Sequence, residues 1–157
     1  MDKDEEVMTG LMELINKWGW VNKQKMETSL KSFKSAEVHY IEYIAKNADS
    51  NLTKFADSFY MTRGAVSKII RKLADKGLVE SYQIPDNRKE IYFKLTRQGK
   101  AIYRIHEKLH KEFKDRDKTV FEQMNDEQFE NIFNFLDKYN RHLDMEIKKL
   151  NFDRNRE

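Results

Sequence analysis

Apolar residues open the chain at three- and four-residue steps, with Val7, Leu11, Leu14, Ile15 and Trp18 falling on one side of a helix over 5–21. Ser35 reads as an N-cap, and Val38, Ile41, Ile44 and Ala45 carry a second apolar stripe as far as the polar turn cluster 47–51. Residues 52–59 read as a short helical piece. After Tyr60 and Met61 the run 62–76 keeps a helical pattern, so a third and a fourth helix follow in quick succession. In the last of these Val66, Ile69, Ile70 and Leu73 face inward, while Arg63, Ser67, Lys68, Arg71 and Lys72 form a basic ridge on the other side. Gly77 is placed to end it in a left-handed conformation.

The period then changes. Residues 78–84 and 91–95 are rich in β-branched and aromatic side chains, and the turn formers at 85–90 between them predict a β-hairpin with an exposed polar tip. Thr96 caps a further helix whose apolar positions Ile102, Ile105, Leu109 and Phe113 follow a four-residue step, and the pattern runs on to Val120, Phe121 and Met124. Asn125 with Gln128 makes a capping box for a last helix carrying Phe129, Ile132, Phe133, Leu136, Tyr139, Leu143, Ile147 and Leu150.

These elements predict a mainly α fold with a small β-hairpin wing: a winged helix-turn-helix with an N- and C-terminal helical dimerisation layer. The expected division is 1–34 for the first helix and its connection, 35–100 for the DNA-binding unit, and 101–157 for the C-terminal dimerisation helices. A continuous helix over 96–124 would be about 40 Å long, more than a compact domain of this size can cover by itself. That length and the apolar stripes at both ends point to a homodimer.

Composition narrows the function. The chain has 157 residues, no Cys and 36% charged residues. Zero Cys excludes a disulfide scaffold, a thiolate zinc finger, a Cys nucleophile and a thiol-based sensor. No run approaches the ~18 apolar residues of a membrane span, and the acidic start is no signal peptide, so a cytoplasmic location with no membrane partner is expected. Charge is uneven along the chain: residues 52–100 hold eleven Lys/Arg against five Asp/Glu, a surplus of six, which leaves the remainder three negative against a total of +3. The cationic middle suits a polyanion.

Two helices joined by a tight turn, the second basic and followed by a hairpin with a charged tip, fit double-stranded DNA for a physical reason. The major groove admits an α-helix, whose first residues reach base edges while its backbone N–H groups meet phosphates. Arg63 has the length to read guanine bidentately, and Thr62 and Ser67 suit a base or a phosphate. Lys68, Arg71 and Lys72 suit the backbone, and Arg88 and Lys89 at the wing tip suit a narrow minor groove.

The chain here resembles the MarR family of bacterial transcription regulators. The resemblance runs through Ser35-Ala36-Glu37-Val38-His39-Tyr40-Ile41 and Leu52-Thr53-Lys54-Phe55-Ala56-Asp57, and is clearest from Met61 to Ser67, from Leu73 to Val79, at Asp86-Asn87-Arg88 and at Leu95-Thr96-Arg97-Gln98-Gly99. It implies a homodimer whose first, fifth and sixth helices interlock, with one winged helix per protomer on a pseudo-palindromic operator. It further implies a repressor released by a small-molecule effector, with Asp86 steadying Arg88 as that side chain enters the minor groove. Where members of the family often have Gly in the turn before the recognition helix, this chain has Phe59-Tyr60. A left-handed residue there would cost on the order of 1 kcal/mol.

Other constellations compete. His106-Glu107-Lys108-Leu109-His110 matches H-E-x-x-H, but a charged helix with no third ligand in view does not make a peptidase, and neither a nucleophile–base pair nor a phosphate-binding Gly loop is present. No enzyme is expected, and no cofactor beyond zinc. By resemblance, His106 and His110 lie near His39, which is how zinc-sensing members bind metal, although the sequence names no acidic fourth ligand. The other reading makes these ordinary histidines around a pocket for an organic effector, lined by Trp18, His39, Tyr40 and Tyr43, with Trp20 nearby. A helical dimer acting through protein contacts alone is the remaining alternative.

Overall fold

The structure, a computed structural model, describes residues 2–150; the last seven residues of the 101–157 segment lie outside the described residues. Helix α1 spans Lys3–Ser29, longer at both ends than its apolar repeat predicts. Asp2 caps it by accepting from the N–H groups of Asp4 and Glu5, and at its far end Asn22 and Met26 are buried. Helix α2, Ser35–Lys46, begins one residue earlier than the sequence suggests. Ser35 is its first turn rather than its cap: Lys34 holds the N-cap position and its N–H donates to the Glu37 carboxylate.

The polar cluster at 47–51 is not only a turn. Ser50–Asn51 forms a short strand, β1, before α3 (Leu52–Phe59) and α4 (Arg63–Asp75). Strands β2 (Val79–Ile84) and β3 (Asn87–Leu95) follow, with the sheet order β1-β3-β2, antiparallel throughout. Ser50 pairs with Phe93, and the hairpin runs in register from Val79 opposite Leu95 to Ile84 opposite Asn87, with an irregularity between Tyr82 and Ile84. Pairing at Ile84 and Asn87 leaves Pro85 and Asp86 as the turn. Arg88, Lys89 and Glu90, expected in the loop, are strand residues instead. Helix α5 (Arg97–Phe121) stops before Met124, and α6 (Asp126–Lys149) follows.

Two apolar clusters hold these elements. The larger joins Ile41 and Ile44 of α2, Phe55 and Ala56 of α3, Val66, Ile70 and Leu73 of α4, and Phe93 and Leu95 of β3. The smaller joins Met26 and Leu30 of the α1 end to Val38 of α2 and to Leu109 and Phe113 of α5. Helix α5 therefore reaches from the sheet to the first helix. Its start is fixed by Thr96, which accepts from the Gly99 N–H, and by a close approach at Gly99, where an added Cβ would lie 2.1 Å from the Leu78 carbonyl oxygen. Gly77 ends the preceding segment at φ 74°, the left-handed conformation expected there.

Helix α6 behaves differently. It has 24 residues and none is buried, although Phe133 is 57% exposed and Leu143 43% exposed along one apolar stripe. On α1, Val7, Leu14, Ile15 and Trp18 are exposed as well. No helix of the described residues is long and apolar enough to cross a membrane.

Candidate nucleic-acid interface and the histidine cluster behind it

The turn between α3 and α4 is made by Tyr60, which ends α3 at φ 52°, ψ 44°. The left-handed residue that the turn requires is thus present, carried by a tyrosine instead of glycine. Thr62 then caps α4: its Oγ accepts from the Ala65 N–H at 3.1 Å, so the hydroxyl keeps its own proton and one lone pair for an outside partner. Val66, Ile70 and Leu73 are buried beneath the helix, with Ile69 half-buried, and Arg63, Lys68 and Arg71 are exposed above it. Ser67 is half-buried on the wing side.

Lys72 belongs to a different arrangement from the rest of the ridge. Its Nζ lies 3.0 Å from the carboxylate of Glu37, and the Nζ of Lys76 lies 2.9 Å from the same group. Glu37 is buried at the start of α2. Burial raises the carboxyl pKa, but hydrogen bonds from Lys76, Lys72 and the Lys34 N–H outweigh it and hold the group below the usual carboxylate range. This ionised, three-fold bonded carboxylate fastens the last turn of α4 to the first turn of α2. Sequence reading missed Glu37 because its partners lie far along the chain.

The wing stands beside α4. A cleft of about 160 Å³ brings Arg63 at the start of α4 together with Lys89 of β3, with Thr53 of α3 between them. A second cleft of about 290 Å³ lies between Ser67 and Arg71 of α4 and Ser81 and Ile91 of the wing. Asp86 and Arg88 are both exposed, but no ion pair joins them among the described residues; Gln83 Nε2 donates to the Arg88 carbonyl oxygen at 3.1 Å. The expected carboxylate–guanidinium pair is absent because Asp86 sits in the two-residue turn and Arg88 one residue into the strand, each facing water, where such a pair gains little.

Behind this face, α2 and α5 bring four side chains together. His39 Nδ1 and His106 Nε2 each lie 3.8 Å from Glu42 Oε2, and His106 Nε2 is 2.9 Å from His110 Nε2. One ligand atom from each of His39, Glu42 and His106 fits within 4.8 Å of the others. His106 is 1% exposed, and burial first, then the neighbouring His110, pushes its pKa down to about 4. Glu42, whose carboxylate is also bonded by Lys46, is the acidic member the sequence reading lacked. Its position three residues after His39, on the same helix face, was the available signal. Glu107 of the H-E-x-x-H match instead lines a different cleft with Tyr103, so the pattern does not assemble a peptidase site.

The expected aromatic pocket divides. Trp18 and His39 do meet, with Asn22, His110 and Phe113, in a cleft of about 90 Å³ between α1, α2 and α5. Tyr40 and Tyr43 instead pack against Phe55 and Phe59 at ring-centre distances of 5.0–5.5 Å, inside the helix-turn-helix core. Tyr40 lies about 100° round α2 from His39, and Tyr43, one turn on from His39, is rotated about 40° towards the Tyr40 side, so both rings reach α3 rather than the cleft against α1. Trp20 is 65% exposed and does not line this cleft. Asn22 accepts from Arg116 at 2.9 Å, but its buried Nδ2 has no partner among the described residues.

A short helix, a left-handed turn, a basic helix and a two-stranded wing form a winged helix-turn-helix. Residues 33–91 match the model of the MarR family. Over 105 residues, 58% of this chain, it is 38% identical to the HTH-type transcriptional regulator PchR of Bacillus subtilis (strain 168). It is 32% identical over 92 residues to the uncharacterized HTH-type transcriptional regulator YhjH of the same organism. The chain spans 62% of the first relative's length and 53% of the second's. Streptococcus pneumoniae FabT, solved in complex with DNA, has the same fold, with a TM-score of 0.78 at 21% identity, covering 90% of this chain and 98% of that one.

Proposed function

We propose that this protein is a homodimeric DNA-binding transcriptional regulator, a repressor that holds a pseudo-palindromic operator in the cytoplasm and is released by a small ligand. The observation that carries this reading is the common exposure of Arg63, Lys68 and Arg71 on α4 with Arg88 and Lys89 on the wing beside it. A groove-sized helix with cations along its outer face meets phosphates and base edges together. Arg63 reads guanine, Ser67 and Thr62 take a base or phosphate, Lys68 and Arg71 hold the backbone, and Arg88 with Lys89 reaches the minor groove. Lys72, shared with Glu37, serves mainly to keep α4 on α2. The designations of the two Bacillus relatives and the DNA-bound structure of FabT support this reading.

The dimer reading is supported by α6. A 24-residue helix with no buried residue and an exposed apolar stripe is stable in water when a twofold-related copy covers it, together with the exposed stripe of α1. The effector cleft of this reading is the one lined by Trp18, Asn22 and His39, which at about 90 Å³ would have to open to admit an organic ligand.

A second reading of the effector rests on Glu42. Three imidazoles and one carboxylate on α2 and α5 are a donor set suited to zinc, which takes four N and O ligands. His39, Glu42, His106 and His110 would hold the ion, which would tie α2 to α5 without any redox chemistry. Equilibrium dialysis against zinc separates the two readings: metal uptake lost in His106→Ala with His110→Ala supports the ion, and no uptake by the unaltered chain removes it.

The DNA reading is tested by selecting bound duplexes from a random pool and following their affinity against salt. We expect a defined operator, a steep loss of affinity as salt rises, and a loss of roughly 1–3 kcal/mol in Arg63→Ala with relaxed preference at one base pair. A flat salt slope would leave a dimer acting through protein contacts alone.

A further inference from the structure

The largest cleft among those described belongs neither to the DNA face nor to the histidine cluster. It measures about 460 Å³ and lies between the end of α2, the sheet and the start of α5. Ile44 and Ala45 of α2 and Phe93 and Leu95 of β3 give it an apolar lining, and its volume falls within the range of small-molecule sites.

Its polar groups are unevenly satisfied. The two carboxylates are already engaged by phenols: Asp49 accepts from the Tyr82 hydroxyl, and Glu107 hydrogen-bonds Tyr103. Lys94 is paired with Glu80 at 3.5 Å and lies over the Tyr82 ring. Lys100 and Arg104, by contrast, have no carboxylate partner among the described residues. They stand four residues apart on one face of α5, a rise of about 6 Å, at the edge of an apolar floor. A point cation and a planar guanidinium one turn apart form a fork that a carboxylate or sulfonate can bridge, while the floor accepts an apolar body.

We propose that this cleft binds an amphiphilic organic anion, with Lys100 and Arg104 holding the acid group and Ile44, Ala45, Phe93 and Leu95 receiving the hydrocarbon part. The site shares no lining residue with the Trp18–His39 cleft and includes none of the histidines. A neutral ligand of the same shape leaves both cations without a partner and binds more weakly.

The probe is 2-naphthoate, compared with the uncharged 2-naphthamide by calorimetric titration of the full chain. We expect 2-naphthoate to bind at least about tenfold more tightly than the amide, the effect of one lost charge-assisted hydrogen bond. Lys100→Ala with Arg104→Ala should erase that difference; both residues are surface side chains, so the fold survives. Ala45→Trp, which fills the floor, should weaken both ligands, and Trp18→Ala should change neither. Equal binding of acid and amide, an acid unaffected by the double substitution, no heat with either ligand, or a loss that follows Trp18→Ala overturns the proposal. Should Ala45→Trp fail to fold, as judged by circular dichroism, the acid–amide comparison in the double variant still decides.

Discussion

Helices α4 and α6 are both amphipathic, yet they spend their apolar faces differently. Val66, Ile70 and Leu73 of α4 are buried among residues of the same chain, whereas α6 has a longer apolar stripe and buries nothing. One helix completes a core within the protomer, and the other leaves its stripe open to the partner copy proposed above. The difference teaches that the core under α4 is built without any residue of α6, so the two can be broken separately.

The largest effect is expected from Leu136→Asp with Leu143→Asp on α6. Sedimentation should show a monomer whose helical content is retained and whose operator affinity has fallen by at least about 100-fold, because two half-sites are no longer held together. A dimer that persists would place the interface elsewhere. Leu73→Ala acts on the other side of the comparison: it should cost about 2–5 kcal/mol in urea unfolding and leave the oligomeric state unchanged.

Next comes the seam between α2 and α5. In the folded, chelator-treated chain His106 stays neutral down to a pKa of about 4, while the unfolded chain takes up the proton near 6.5. The unfolded state therefore binds more protons between those values. Stability is fully present above about pH 6.5 and is lost as the pH falls towards 4, by about 3 kcal/mol in all. His106→Gln should flatten that slope in urea titrations across this range; a slope equal to that of the unaltered chain would contradict the buried neutral imidazole. The smallest effect is expected at the turn. Tyr60→Gly relieves the left-handed strain but frees the unfolded chain, so stability should move by no more than about 1 kcal/mol, and a loss beyond about 2 kcal/mol would mean that the tyrosine ring matters more than its backbone.

Much of this was legible from local chemistry. The caps at Thr96 and Asn125, the left-handed Gly77, the inward face of α4 and the unpartnered stripe of α6 all follow from spacing and residue type within a few turns. What escaped depends on pairs far apart in sequence. Strand β1 exists because Ser50 and Asn51 find Phe93 and Tyr92, and no periodicity marks a two-residue strand. Glu37 reads as an ordinary first-turn acid until Lys72 and Lys76 are folded onto it. Tyr40 and Tyr43 are aromatic residues beside His39 in sequence, as an effector pocket needs, but they pack on Phe55 and Phe59, partners that no local spacing announces. The Asp86–Arg88 pair was carried by resemblance, and the short wing turn keeps the two apart.

The central claim is that two copies of a basic α4 are held at a fixed separation on one duplex. Moving one half-site of the selected operator along the helix, with stoichiometry measured by sedimentation, tests it most directly. The account predicts two chains per duplex, a sharp loss of affinity when half a helical turn, about 5 bp, is inserted, and recovery towards simple one-site binding in the α6 double variant. One chain per duplex in the unaltered protein, or affinity indifferent to the spacing, would contradict it.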